Sequence, residues 1–207
     1  MILPSEERGS GSLPNRYSDP ALEQRANLLQ LAARLHRAGM VRAVDRCQAR
    51  VGLFTVVKKV EEGRVHLRLI LDARQSNALW KTPPWCGLGG PSSLAWLDLS
   101  DIWEEGVTRL AISAGDVPDC YHRMLLPGSF AEWFVIDGIT PADLAAHLNV
   151  DPVAARLSGR FLGYCVVPMG WSWAVYFTQT CMQDLVGRHG SSSLKAELAL
   201  VEGAHTP

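Results

Sequence analysis

Residues 51–72, VGLFTVVKKVEEGRVHLRLILD, carry the strongest fold signal in this chain. Residues 51–59 are rich in β-branched and aromatic side chains and predict a strand, residues 60–63 predict a turn, and residues 64–72 predict a second strand. In the second strand, apolar side chains alternate with mostly charged ones. One face carries Val65, Leu67, Leu69 and Leu71, and the other carries His66, Arg68, Ile70 and Asp72. The sequence therefore predicts a β-hairpin with one apolar face and one charged face.

Helices and short strands are predicted on both sides of this hairpin. Asp19-Pro20 has the form of a helix start, with Asp19 as the cap, and Gly39 ends that helix. Thr140-Pro141 starts a second helix in the same way. The further predicted elements are a helix over 93–105, strands over 107–114, 134–136 and 161–167, and helices over 141–157 and 173–186. This mixture predicts an α+β fold, preceded by a disordered lead-in over residues 1–17.

The composition excludes several classes of protein. Of the 207 residues 47% are hydrophobic and 20% are charged, which argues against a disordered or collagen-like chain. No apolar run reaches bilayer length and the N-terminus has no signal-peptide core, so we expect an intracellular protein without a membrane partner. The five cysteines are widely spaced, without a CxxC pair, and we expect them to be reduced.

The formal net charge of −1 conceals a strong asymmetry. Residues 1–81 carry a balance of +6, whereas residues 82–207 carry −7. Such a division predicts a basic surface on one part of the chain and a carboxylate site on the other. Chance clustering of surface charge is the alternative.

The first chemically suggestive segment is the second hairpin strand. Arg68 belongs to its charged face, and Lys58 and Lys59 belong to the partner strand. Three cations on one hairpin would bind a polyphosphate, because guanidinium groups pair with two phosphate oxygens at once. The alternative is an ordinary solvated strand face.

The second segment is AGDVPDCY at residues 114–121. An aspartate at the end of a buried strand, with another three residues later, is a common arrangement for Mg²⁺. Asp116 and Asp119 are the candidate ligands. Capping of the following helix by one of these carboxylates is the alternative.

The third segment is PMGWSW at residues 168–173, called the PMGWSW turn below. A Pro-x-Gly turn followed by tryptophans allows a flat ring to approach the backbone, and exposed aromatic side chains stack on bases. The alternative is core packing of both tryptophans. We expect Trp173 in the core and Trp171 partly exposed.

In this order, the three segments resemble the reverse transcriptases of retroelements, which are RNA-directed DNA polymerases. LDARQSN at 71–77 matches the family's D-x-R-x-x-N pattern at the end of a fingers strand, and DVPDCY at 116–121 matches its first palm motif. PMGWSWAVYFTQ at 168–179 matches its Pro-x-Gly motif. The resemblance spans residues 20–187.

The resemblance implies the following organisation. The fold would be a fingers hairpin with helices plus an incomplete antiparallel palm sheet flanked by helices. Residues 18–92 would be fingers-like, and residues 93–187 would be a partial palm with an insertion at 137–159. Residues 188–207 would be a divergent tail.

The resemblance also implies a site. Asp116 would be the catalytic ligand of Mg²⁺, Tyr121 would select deoxynucleotides, and Arg68 would contact the triphosphate. The reaction would be in-line transfer of a deoxynucleotide to a primer on an RNA or DNA template, from deoxynucleoside triphosphates. The implied nucleotide-binding residues are Lys58, Lys59, Arg68, Asp119, Cys120, Tyr121, Met169 and Gly170.

One departure from the family affects the expected activity. The family's third palm motif, an aromatic-x-Asp-Asp hairpin, has no counterpart, since the chain contains no Asp-Asp pair. We therefore expect a truncated copy that is inactive alone. A non-catalytic nucleic-acid-binding module is the alternative, and an unrelated α+β enzyme using Cys120 and His122 is a third hypothesis. The sequence does not indicate an oligomeric state.

Overall fold

The computed structural model of the protein describes residues 12–89 and 115–189. Its central sheet has five strands in the spatial order β1-β5-β4-β2-β3. The strands are β1 Val41–Val44, β2 Arg50–Glu61, β3 Arg64–Asp72, β4 Val135–Ile136 and β5 Phe161–Tyr164. All pairings are antiparallel except the parallel pairing of β2 with β4. The predicted α+β class is confirmed, but the sheet is mixed rather than purely antiparallel.

The predicted hairpin is confirmed as β2 and β3. Its turn lies at Glu62 and Gly63, whose φ angles of 50° and 74° are both positive. Two central residues of this kind match the right-handed twist of the paired strands. The two strands extend beyond the rest of the sheet, because β4 pairs only with the first two residues of β2.

The apolar face of the hairpin is buried only at its base. Leu71 is buried, whereas Val65 and Leu67 are each 56% exposed. Alternation correctly predicted which side chains share a face. It could not predict where the covering layer stops, which depends on elements distant in the sequence.

Local capping signals account for the helix boundaries. The first helical region is two helices, α1 Pro20–Glu23 and α2 Arg25–Arg37, and the Asp19 side chain accepts a hydrogen bond from the Ala21 N–H. Gly39, with a φ of 70°, follows α2 as predicted. Two short helices that the sequence did not predict are α3 Arg74–Ala78 and α4 Cys120–Arg123.

The helix predicted over 141–157 is shorter than expected. It forms α5 Pro141–Leu148, with Thr140 in a capping box with Asp143. Asn149 then adopts a left-handed conformation with a φ of 53° and ends the helix. The strand predicted over 161–167 likewise ends at Tyr164, while the last helix, α6 Ala174–His189, is longer than predicted. The elements predicted over 93–105 and 107–114 lie outside the described residues.

The two faces of the sheet are covered differently. Helix α2 lies over the face that carries Val51, Leu53 and Ile136, which line a common cavity with Leu28. A 3₁₀ helix, Gly128–Trp133, approaches the opposite face, where a side chain on Gly163 would collide with the Ala131 backbone. This second face also carries the candidate site.

The chain divides into two compact units. The first contains residues 1–83 and 119–174 and includes the whole sheet. The second contains residues 84–118 and 175–207 and includes nearly all of α6. Within the second unit, the Gln179 amide donates to the Gly87 carbonyl at 3.5 Å, and Arg188 pairs with Asp184 one helical turn earlier.

No helix in the described part of the chain is long and apolar enough to cross a membrane. The five cysteines are free thiols.

Candidate nucleic-acid interface

The structure brings the first and third sequence motifs into direct contact. The Leu71 N–H donates to the Met169 carbonyl at 2.9 Å. The Asn77 side chain donates to the Gly170 carbonyl at 3.1 Å and accepts from the Ser172 N–H at 2.9 Å. Asn77 therefore binds the PMGWSW turn through both the nitrogen and the oxygen of its side-chain amide, although it is 93 residues from Gly170 in the sequence.

Gly170 is required by this contact. Its φ of 117° is in the region that side chains disfavour, and a Cβ atom there would overlap the Leu71 carbonyl oxygen. The Leu71 carbonyl carbon would be 3.2 Å from that atom. The turn can approach β3 this closely only without a side chain.

The acid and the base of the D-x-R pattern form an ion pair. Asp72 is buried and Arg74 is largely exposed, with side-chain exposures of 6% and 57%. Arg74 donates to Asp72 through Nε at 2.8 Å and Nη2 at 2.5 Å. These hydrogen bonds, helped by one at 2.5 Å from the Tyr17 N–H, hold the pKa of Asp72 below its usual range. Asp72 thus orients the exposed guanidinium group.

Part of the expected disordered lead-in has defined partners. The Pro14 carbonyl accepts from Gln75 at 3.2 Å, and Tyr17 crosses the sheet at Gly52, where a Cβ atom would overlap the Tyr17 carbonyl. The Asp19 N–H then donates to the Leu53 carbonyl at 2.8 Å. Residues 14–19 therefore pass along β2 at Gly52 and Leu53, with Tyr17 held at Asp72.

A cavity of ≈ 320 Å³ opens beside the two docked motifs. Its walls combine aromatic, aliphatic and charged side chains with exposed glycine backbone. They consist of Tyr17, Phe54, Ile70, Leu71, Asp72, Ala73, Arg74 and Gly170. The Tyr17 and Phe54 rings meet edge to face, with centroids 5.6 Å apart, and Tyr17 is 52% exposed. Such walls suit a flat ring attached to an anionic group.

The three hairpin cations do not converge on one point. The β2–β3 register shifts between Val57 and Lys59, so Lys59 lies opposite His66 and pairs with Glu61 at 2.8 Å. Lys58, within the shift, instead pairs with Asp119 at 3.4 Å. Arg68 is exposed, has no ion-pair partner among the described residues, and shares the face of Ile70 and Asp72 that lines the cavity. The register shift gives Lys58 and Lys59 different partners from Arg68, and triphosphate binding by these cations stays a prediction.

The segment after the second motif is a short helix with a strained start. Asp119 has a φ of 52°, and α4 follows with Cys120 and Tyr121 half-buried. Burial lowers the pKa of His122, whose Nε2 has no hydrogen-bond partner in the described part of the chain. No hydrogen bond joins Cys120 to His122 among these residues, so the geometry offers no activated thiol.

Asp116 is exposed and belongs to the second compact unit, whereas Asp119 belongs to the first. No group of three or more histidine, cysteine or acidic side chains within residues 12–89 and 115–189 is arranged to hold a metal ion. Asp119 is already paired with Lys58. The described residues therefore do not fit a Mg²⁺ site, and Mg²⁺ binding by Asp116 stays a prediction.

Both tryptophans of the PMGWSW turn are core residues. Trp173 is 6% exposed, as expected, but Trp171 is only 3% exposed, so its expected exposure is wrong. Trp171 packs edge to face against Trp80 and Phe134, with centroids 5.1 and 5.3 Å away. The accessible aromatic side chains at the cavity are instead Tyr17 and Phe54.

Sequence reasoning missed both rings. Tyr17 lay in a segment rich in serine, glycine and proline, and only its contact with Asp72 places it at the cavity. Phe54 was identifiable in principle, because period-two alternation along β2 puts it on the face that pairs with Ile70 and Asp72.

No protein-family model matches the chain, and a search of curated proteins finds no match. The features that bear on function are the contact between residues 71–77 and the PMGWSW turn, the cavity beside it and the surrounding cations.

Proposed function

We propose that this chain binds single-stranded nucleic acid and a deoxynucleoside triphosphate as a domain of the reverse-transcriptase type that does not polymerise by itself, because it contains no Asp-Asp pair. The observation that carries the proposal is the docking of residues 71–77 onto the PMGWSW turn beside the cavity. Two segments about ninety residues apart, each suggestive alone, share one site.

The cavity offers a place for a base. Tyr17 and Phe54 expose ring surface, and Gly170 contributes exposed backbone to the cavity wall. Stacking of a base on an aromatic side chain contributes about 1–3 kcal/mol and tolerates any base sequence. The cavity volume is at the lower end of ordinary ligand pockets, which span about 300–1,000 Å³.

Arg74 and Arg68 supply positive charge for the phosphate backbone. Asp72 occupies Nε and Nη2 of Arg74 and leaves Nη1 directed away from that bidentate contact. Arg68 lies four residues before Asp72, on the same face of β3, and is exposed. A strand whose base enters the cavity would have its phosphates between these two guanidinium groups.

A binding measurement tests the proposal. Fluorescein-labelled single-stranded RNA, single-stranded DNA and duplex DNA are titrated with the full chain at several salt concentrations. We expect the single strands to bind more tightly, and Arg74→Ala to reduce the slope of log K against log salt by about 0.7 for the lost phosphate contact. Arg34→Ala removes an exposed cation from α2 and is the matched control. Equal affinity of Arg74→Ala and the unsubstituted chain would contradict the proposal.

Catalysis is a separate question from binding. Primer extension on an RNA template with Mg²⁺ or Mn²⁺ distinguishes a polymerase from a binding module. We expect binding without incorporation, and template-dependent incorporation that Asp116→Ala abolishes would overturn the expected inactivity.

A further inference from the structure

A second cationic and aromatic cluster follows the cavity along the chain, because Arg16 directly precedes Tyr17. It consists of Arg16 and Arg50, which pair with Asp137, and of Arg160 and Phe161, and is called the arginine track below. We infer that the arginine track binds the continuation of the single strand that enters the cavity. This inference rests on the proposed function and extends its site.

Strand register places Arg50 and Phe161 of the track on the face of the cavity. Arg50 pairs with Val135, and Val135 pairs with Gly163, so these positions form one row across the sheet. Phe161 is two residues from Gly163 and therefore faces the same way. Gly52 is two residues from Arg50, and it is there that Tyr17 crosses the sheet. Arg50 and Phe161 thus share the face of the cavity, and Arg16 and Asp137 also line the other cavity, beside Leu28 of α2.

The contacts within the track are continuous. Asp137 accepts hydrogen bonds from Arg16 and from Arg50, the latter at 2.5 Å. The guanidinium groups of Arg50 and Arg160 lie 5.7 and 5.6 Å from the centroid of the Phe161 ring. Both distances are within the range of cation–π attraction. Arg16 directly precedes Tyr17, so the track begins where the cavity wall ends.

The track has more positive than negative charge. Asp137 pairs with two of the three guanidinium groups, those of Arg16 and Arg50, and no other carboxylate pairs with Arg16, Arg50 or Arg160 among the described residues. The side chains of Arg16, Arg50 and Asp137 are 29%, 38% and 39% exposed, so solvent and ligands reach them. The complement of this surface is a ligand with repeated negative charge and flat rings.

Single-stranded nucleic acid has that chemistry. Its phosphates recur along the chain, and its bases stack on aromatic side chains and on guanidinium planes. An acidic peptide matches the charge but gains nothing from the alternation of rings and cations. The continuity with Tyr17 favours one ligand that spans both places over two separate ligands.

A length series tests the inference. Labelled single strands of about 4 and about 12 nucleotides bracket the span of the cavity alone and of the cavity plus the track. We expect the longer strand to bind more tightly. Arg160→Ala should weaken it about three- to fivefold, as expected for one exposed charge contact, and lower its salt slope by about 0.7. The same variant should leave the short strand unaffected, whereas Arg74→Ala should weaken both.

Two further variants control for folding and chemistry. Arg160 is exposed, and thermal melting verifies that Arg160→Ala remains folded. Phe161→Leu keeps apolar volume but removes the ring, and should weaken only the longer strand. Arg34→Ala on α2 should change neither.

The outcomes separate the two proposals. If both strands bind equally, or if Arg160→Ala and Phe161→Leu do not affect the longer one, the track is refuted while the proposed function stands. If neither strand binds at low salt, both are refuted. A poly-glutamate peptide that binds with higher affinity than the longer strand, and is weakened by Arg160→Ala, would also refute the track as a nucleic-acid site.

Discussion

Replacing Gly170 with alanine should separate the two docked motifs. The added methyl group would overlap the Leu71 carbonyl oxygen, and the φ of 117° would be strained for alanine even in open space. Backbone is the obstacle on the β3 side, so no side-chain rotation relieves the overlap. The turn must move away, and the hydrogen bonds from Asn77 and Leu71 must lengthen or break.

The expected loss of stability follows from the backbone strain at residue 170 and from the weakened hydrogen bonds. A residue forced into an unfavourable backbone region costs about 1–3 kcal/mol. Each hydrogen bond weakened by the displacement adds about 1 kcal/mol. A loss of about 2–4 kcal/mol is therefore expected, which for a chain of this size lowers Tm by about 5–15 °C.

Urea denaturation followed by tryptophan fluorescence measures this loss, because Trp171 and Trp173 lie within the affected turn. Gly63→Ala is the matched control, since its φ is 74° but no atom lies within 4 Å of its added Cβ. The difference between the two variants isolates the overlap with Leu71 from the backbone strain. If both variants lose the same stability, the close approach of the turn to β3 is not what requires Gly170.

Three further predictions concern other contacts. Asn77→Ala should lower the free energy of unfolding by about 1–2 kcal/mol in urea denaturation, and Asn77→Asp, which keeps an acceptor oxygen, should lose less; equal losses would argue against the two-ended amide contact. Thr140→Ala should cost about 1 kcal/mol by removing the capping box with Asp143, whereas Thr140→Ser should be nearly neutral, and a full loss in the serine variant would contradict the capping role. The lowered pKa of Asp72 means that its stabilisation is complete above the ordinary value of 3.8 and is lost as the pH falls through the lower folded value. Asp72→Asn should therefore flatten the acid limb of a pH–stability curve below pH 3.8, and an unchanged acid limb would show that the ion pair with Arg74 does not contribute.

Prediction from the sequence was most successful where the causes are local. The hairpin, its turn at Glu62 and Gly63, and the helix starts at Asp19 and Thr140 depend on residues within a few positions of one another. Period-two alternation also correctly assigned Arg68, Ile70 and Asp72 to one strand face. The α+β class follows from such local elements.

The candidate site was only partly predictable, because its contacts join residues that are distant in the sequence. Lys58 and Lys59 were grouped with Arg68, but a register shift separates them, and such a shift depends on the pairing of both strands. Tyr17 lies at the cavity because its backbone contacts Asp72, 55 residues away. Trp171 is buried because three other aromatic residues, Trp80, Phe130 and Phe134, pack against it from two distant parts of the chain.

By itself, the sequence determined the elements of this protein and the chemical character of its segments, because caps, turns and alternation act between near neighbours. Only the tertiary structure decided which segments meet. The contact of Asn77 with the PMGWSW turn and the arrangement of Arg50 and Arg160 around Phe161 join residues that local physics cannot relate. Burial and strand pairing bring them together, since a sheet places distant residues side by side on one face.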